Sequence, residues 1–511
     1  MEATSRAASA VGGASDQVRG RRRTARRRPN SAELAGAGPG VAGEVPVAVG
    51  ARAGQHAEVT TPTVSSPPRL PPGRSGLPFV GEWFQILFNP RFGADRRAEF
   101  GPVSRTRLFG KDMALLAGPE NNLLLFRGEH KFVEATWPAS TLKLLGPNTL
   151  STQEGELHMR RRRLLAQAFR PRALLGYLPP MESRIAAAVD RWLARGELAL
   201  YPEIRALTFD VAAALMMGAH ERTDAALVHD FETFAAGLFT IPADLPVTAF
   251  GRAKRARRRL IAHLHAAIDA RIASGETGQD VLGLLLAARD DDGSKLGREE
   301  LAEQMLVLLF AGHETLTSGL TNFCMLMAQH PEAYARVCAE VDRVTPRGPL
   351  TVEALGRLAE TERALAETLR LEPPVAAAFR KCTRTFEVAG FTVPAGWLTG
   401  YRIRDTHRDP SLFAEPARFD PDRFAVFEET CPHGRVHAHA HEGRYLPFGG
   451  GARICLGMEF ARLEMRAFAA LLARRCALTL VPGQDLTMKQ VPVPRPRSGL
   501  EMRLTPRTTS G

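Results

Sequence analysis

The chain is poor in several residue types. Of 511 residues only six are cysteine, five tyrosine and four tryptophan. Cysteines at 324, 338, 382, 431, 455 and 476 are too few for a disulfide scaffold in a chain this long. None forms the Cys-x-x-Cys pair of a structural zinc site. The longest strongly apolar run, Met305–Gly312, has eight residues, against the ~18 a membrane span needs. The N-terminus is polar and arginine-rich, unlike a secretory signal. A soluble, cytoplasmic protein without a transmembrane segment is predicted. Lysine is scarce too: seven of the 67 basic residues, the other 60 being arginine. Against 55 acidic residues this leaves +12, which suits nucleic acid, an acidic partner or an anionic cofactor. Hydrophobic (44%) and charged (24%) fractions are those of a globular protein, which excludes collagen-like, wholly disordered and coiled-coil classes.

Residues 1–66 differ from the rest. They are rich in Ala, Gly, Ser, Arg and Pro and nearly free of large apolar side chains, so burial cannot offset their ordering entropy. Arg21–Arg23 and Arg26–Arg28 read as part of a solvated tail rather than a nucleic-acid or targeting arm. Residues 67–511 read as one domain, entered through Pro67, Pro68, Pro71, Pro72 and Gly73. Helical periodicity predicts helices over 160–169, 181–193, 203–217, 255–272, 298–327, 331–344, 360–371 and 459–472. Short strands are expected at 113–117, 387–393 and 477–480. No internal repeat appears. The fold class is mainly α with small β-sheets.

Two places break local propensity. Leu301–Leu309 is apolar over most of its surface, as a buried helix is, yet Gly312-His313-Glu314-Thr315 follows within it. Such violations are expected where function is carried. Near the C-terminus stands Phe448-Gly-Gly-Gly-Ala-Arg453-Ile-Cys455-Leu-Gly457. Its glycines permit close backbone approach, and the cysteine precedes a helix start, where positive potential favours thiolate. The loop holds no His or Asp to serve as base, so metal ligation is preferred over a nucleophile. Alternating His433, His437, His439 and His441 after Cys431 lack a matching ligand cluster and are read as a loop, not a metal site. Arg252, Lys254, Arg255 and Arg257–Arg259 read as an exposed helix end near a substrate mouth rather than a nucleic-acid patch.

The cysteine loop resembles the cytochrome P450 haem loop F-x-x-G-x-R-x-C-x-G at every fixed position. Ala311-Gly312-His313-Glu314-Thr315 resembles that family's A-G-x-[DE]-T, Glu367–Arg370 its E-x-x-R, and Phe419–Phe424 its P-x-R-F segment. The resemblance implies a P450 fold, with haem b between a long distal helix and the cysteine loop. Cys455 would be the axial ligand of the iron, with Phe448, Gly457, Ala311 and Gly312 beside the haem. Glu314 and Thr315 would form the catalytic acid–alcohol pair. His158, Arg162, Arg380 and Arg453 would meet the propionates. Glu367, Arg370 and Arg423 would form a buried structural triad. Flanking Arg160, Arg161 and Arg163 would help form a basic surface that docks an acidic redox protein.

Ala135–Thr141, Phe310–Ser318, Pro373–Arg380 and Pro394–Trp397 look like the retinoic-acid-hydroxylating branch of cyanobacteria and vertebrates. Ala376–Ala378 stand where that branch tends to have glycine. Pocket candidates are Trp137, Leu142, Phe239, Phe310, Ala311, Val375, Ala377 and Phe379. The expected activity is O2-dependent hydroxylation of a lipophilic molecule, a retinoid or similar isoprenoid or fatty acid. Its electrons would come from a ferredoxin and its reductase, to a monomer. A peroxide-driven peroxygenase or isomerase is the alternative, and a haem sensor or carrier a weaker one.

Overall fold

The computed structural model describes residues 68–507 except 78–79, 83–84, 87–88, 90, 109, 219–223, 277 and 426–441. The predicted tail and the His433–His441 loop lie outside the described residues.

Ten of the chain's helices frame the candidate site. They are α1 (Pro119–Gly128), α2 (Ala139–Leu145), α3 (Gly155–Ala166), α4 (Pro171–Arg195), α5 (Leu200–Met217), α6 (Ala225–Gly237), α7 (Ala249–Ser274), α8 (Arg298–Gln329), α9 (Ala359–Leu371) and α10 (Met458–Arg475). Strands β1 (Val103–Leu108), β2 (Lys111–Leu116), β3 (Val133–Ala135), β4 (Glu197–Ala199), β5 (Ala377–Cys382), β6 (Phe386–Val388), β7 (Phe391–Val393) and β8 (Leu398–Arg402) precede β9 (Cys476–Leu480), β10 (Met488–Lys489), β11 (Arg495–Pro496) and β12 (Glu501–Pro506). The largest sheet has the order β1-β2-β8-β5-β3, with β2 and β8 parallel and the other pairs antiparallel. The chain is mainly helical with small sheets, as its sequence implies.

Helix α8 crosses the main core and buries Leu301, Met305, Leu309, Leu316, Leu320, Phe323 and Met327 among others. A helix apolar all round needs partners all round; α5, α7 and α9 are among them. Helix α10 lies on α4, where Phe460 meets Tyr177 edge-on at 5.9 Å and Phe468 meets Trp192 at 6.2 Å. Several predicted boundaries move. The strand expected over 387–393 is the hairpin of β6 and β7, the helix expected from 255 starts at Ala249, and the one expected from 181 is α4, which starts at Pro171 and runs through Pro179 and Pro180. Its buried face, Leu174, Tyr177, Leu178, Met181 and Ile185, continues across them, and packing outweighs the ~3 kcal/mol that interior proline costs.

Glu367, Arg370 and Arg423 come together. Both carboxylate oxygens of Glu367 accept from Arg370, at 2.6 and 2.8 Å, and Oε1 also accepts from Arg423 Nε at 3.0 Å. The rest of Arg370 donates to the carbonyls of His407, Pro416 and Arg418. Thus a fully buried cation staples α9 to the loop leading to Arg423. Glu464 on α10 is a different case. It is buried, its Oε2 has no hydrogen-bond partner among the described residues, and burial pushes its carboxyl up to about 8.

Glu367→Ala strands two guanidiniums without their carboxylate. Denaturant unfolding is expected to show a loss of about 3–5 kcal/mol. Glu464 has an ordinary value of 4.5 when unfolded. Below that pH the group is neutral in both states. As pH rises from 4.5 to 8 the unfolded chain releases the proton first, so stability falls, by at most ~1.4 kcal/mol per unit. Glu464→Gln should raise the melting temperature at pH 8 and leave it nearly unchanged at pH 4.5.

Candidate active site

The cysteine loop is shaped by one aromatic ring. A Cβ on Gly450 would lie 2.4 Å from the ring of Phe126, and one on Gly451 2.8 Å from that residue's Cβ. Gly449 and Gly451 also take φ of 70° and 65°, which a side chain resists. The loop closes where Cys455 N–H donates to the Phe448 carbonyl at 2.9 Å. Phe448 itself packs on the main core. Cys455 is exposed at its loop, although protein atoms crowd around its sulfur. Burial pushes its thiol up, while the N–H of Gly457 and the guanidinium of Arg162 act the other way. A bound metal would reverse that balance outright.

Cationic and polar groups gather beside the loop. Glu129, just after α1, is buried and bridges two arginines: Oε2 accepts from Arg380 Nε at 2.5 Å and Oε1 from Arg453 Nε at 2.6 Å. Arg453 also donates to the carbonyls of Leu150 and Gln153 and pairs with Glu154 at 2.5 Å. Burial raises the Glu154 carboxyl to about 7. His158 is buried in the first turn of α3, 3.1 Å from His130. Glu129, His130 and Glu154 are close enough to suggest a metal site, but Arg453 already holds both carboxylates. Arg162, also expected at a propionate, lies beside the cysteine loop. Its Nη2 donates to the carbonyl of Ile454 at 2.6 Å, so it braces the cysteine loop.

On α8, Ala311 is exposed and Gly312 and Thr315 are partly so, in the middle of a helix otherwise largely buried. Thr315 Oγ1 donates to the Ala311 carbonyl at 2.7 Å. Glu314 points elsewhere: it is buried and accepts from Arg205 of α5 at 3.0 Å. Arg205 also pairs with Glu232 of α6. A methyl on Gly312 would meet Met216 at 3.9 Å, an ordinary van der Waals contact. The acid and the alcohol therefore start apart, one clamped by an arginine and one turned to its own helix.

Several large apolar candidates are left accessible: Trp137 (37%), Leu142 (40%), Phe239 (36%) and Val375 (42%). Ser140 and Thr141 of α2 both donate to the Leu238 carbonyl, which brings the Trp137–Leu142 segment beside Phe239. Phe310 meets Phe234 edge-on at 6.5 Å, and Ala377 is half-buried at the start of β5. Phe379 is otherwise engaged. Strand alternation sets it opposite Arg380, and it packs on the cluster of Phe92, Leu108, Met113 and Leu115.

The arginines of the expected basic docking surface have acidic neighbours. Arg160 pairs with Asp290 and Asp292, Arg161 with Glu300, and Arg163 with Asp290. Charges at the start of α7 disperse similarly: Lys254 pairs with Asp244, Arg257 with Glu303 and Arg259 with Asp230. Sequence reasoning missed Glu129, His130 and Arg205. None stands in a motif, and each acquires a role only through partners remote in the chain.

An exposed thiol in a glycine loop, a break in the burial of a long helix, and two arginines with a histidine nearby fit a dianionic haem with thiolate ligation. Fold and site define a haem-thiolate protein. The cytochrome P450 family model matches residues 71–502. The chain is 44% identical over 446 residues to the putative cytochrome P450 120 of Synechocystis sp., covering 87% of this chain and 99% of that one. It is 34% identical over 471 residues to human cytochrome P450 26C1, covering 86% and 89% respectively. A solved structure described as retinoic acid bound cyanobacterial CYP120A1 matches with a TM-score of 0.81 at 44% identity, over 86% of this chain and 100% of that one. The chain belongs to the cytochrome P450 family. It is a monooxygenase with iron protoporphyrin IX as cofactor, which takes O2, electrons from redox partners and a lipophilic substrate. No helix among the described residues is long and apolar enough to cross a membrane.

Proposed function

We propose that this P450 hydroxylates a retinoid or a closely similar isoprenoid or fatty acid. The observation that carries the reading is the match to a retinoic-acid-bound relative over 86% of the chain. Accessible Trp137, Leu142, Phe239 and Val375 supply an apolar wall suited to a lipophilic molecule, with Phe310 and Ala377 as further lining. Ala376–Ala378 add side-chain bulk where that branch tends to have glycine.

Cys455 is the residue that would hold the iron, with Phe448 and Gly457 shaping its loop. His158, Arg162, Arg380 and Arg453 would receive the propionates. The bound haem supplies oxygen activation, favoured by an electron-rich thiolate ligand. Thr315 and Glu314 then manage protons. Glu314 must leave Arg205 to reach the Thr315 hydroxyl, and Thr315 must exchange its bond to the Ala311 carbonyl. Electrons come from a ferredoxin and its reductase to a cytoplasmic monomer. Residues 67–511 form the single catalytic domain.

The reduced, CO-bound protein is expected to show the red-shifted thiolate band, absent from Cys455→Ala. Titration with retinoic acid should then drive a saturable low- to high-spin shift. An intact thiolate band with no shift would overturn the retinoid reading alone. Thr315→Ala should keep that shift while NAD(P)H consumption proceeds with little hydroxylated product, measured as the product-to-cofactor ratio. Turnover with peroxide and no reductase would instead mark a peroxygenase.

A further inference from the structure

We propose that His130 is a positioning residue that fixes the tautomer of His158, so that His158 offers an N–H rather than a lone pair to an anionic group of the cofactor. The inference rests on the reading above that His158 meets a haem propionate.

The relay begins at a group with no choice. The backbone N–H of Gly155, at the start of α3, can only donate. It lies 3.0 Å from His130 Nδ1, so that nitrogen carries the lone pair. A neutral imidazole then holds its proton on Nε2. His130 Nε2 is 3.1 Å from His158 Nδ1, so it donates and His158 Nδ1 accepts. The His158 proton is thereby sent to Nε2, which has no protein partner among the described residues. An N–H there matches a carboxylate; a lone pair would repel it.

The surrounding protein favours the neutral form of both rings, as this relay requires. Burial, then the nearby Arg453, hold His130 below its ordinary value, and the same causes bring His158 down to about 3. One competitor faces the relay. Glu154 Oε2 stands 3.2 Å from His130 Nδ1 and would welcome a proton there, which would reverse both tautomers. The Gly155 amide opposes that reversal, since Nδ1 cannot donate to Glu154 while accepting from Gly155. Arg453, bridged to Arg380 by Glu129, pairs with Glu154 instead. His130 also keeps a left-handed backbone, φ 64°, an uncommon conformation for a non-glycine residue and one often retained at functional sites.

The test is haem release from the full-length ferric holoprotein into excess apomyoglobin, followed by absorbance. His158→Ala is expected to speed release about tenfold, and His130→Phe, which keeps a ring without nitrogens, about fivefold. His130→Gln restores a donor and should return the rate to near the parent's. His130→Phe combined with His158→Ala should release haem no faster than His158→Ala alone. Nitrogen NMR of the reduced, CO-bound protein should find the His158 proton on Nε2 in the parent and shared with Nδ1 in His130→Phe. If His130→Phe does not fold, His130→Asn tolerates the backbone, lacks the donor at that reach, and carries the same expectation. An unchanged rate in His158→Ala overturns the propionate reading. Faster release from His158→Ala but not from the His130 variants, or additive effects in the double variant, overturns the tautomer role alone.

Discussion

A sulfur atom that must be accessible to a cofactor and yet shut away from bulk water is the constraint on which this structure depends. Burial works against the thiolate, so the wall around Cys455 has to supply donors without supplying solvent. The glycines of 449–451 do this by letting the loop backbone lie against Phe126 and turn tightly enough to present the N–H of Gly457 to the sulfur. Arg162 adds positive charge while bracing the carbonyl of Ile454. A larger residue at 450 or 451 would push the loop off Phe126 and shift every donor with it.

The same economy governs the arginines. Guanidinium is planar and remains charged when buried, so it can staple several carbonyls and a carboxylate at once, which an ammonium cannot do with the same fixed geometry. Arg370 and Arg453 each bind both kinds of partner. Much of the surplus charge is therefore internal architecture. The +12 total divides into +4 for residues 1–66 and +8 for the remainder, and that remainder must hold an anionic cofactor. Even runs that read as bare surface charge, such as Arg160–Arg163, are largely answered by acids on other segments.

Much of this was legible in the residues. The strong helices follow from 3.6-residue periodicity, which survives in any setting where one face is buried, and α8, α9 and α10 appear where the pattern puts them. The start of α4 was less legible, because a continuous apolar face carries that helix back through Pro180 and Pro179 to Pro171. Strand β5 had no alternating pattern to betray it. Its Ala-Ala-Phe-Arg-Lys-Cys sequence becomes a strand because β8 and β3 lie on either side. Phe379 reads as pocket lining from its neighbours in sequence, but the pleat turns it toward Met113 and the satellite cluster.

The sequence by itself determined the chemistry: a cysteine in a glycine loop, an acid beside an alcohol in an apolar helix, and enough arginine to hold an anion. Those features are local, because each depends on residue types a few positions apart. Tertiary structure alone decided what those groups do before a reaction starts. It clamps Glu314 with Arg205, ties Arg380 to Arg453 through Glu129, and sets His130 against His158. These pairings span from 28 to 324 positions of chain. Their partners become neighbours only when the core closes, and no local pattern encodes the distance between them.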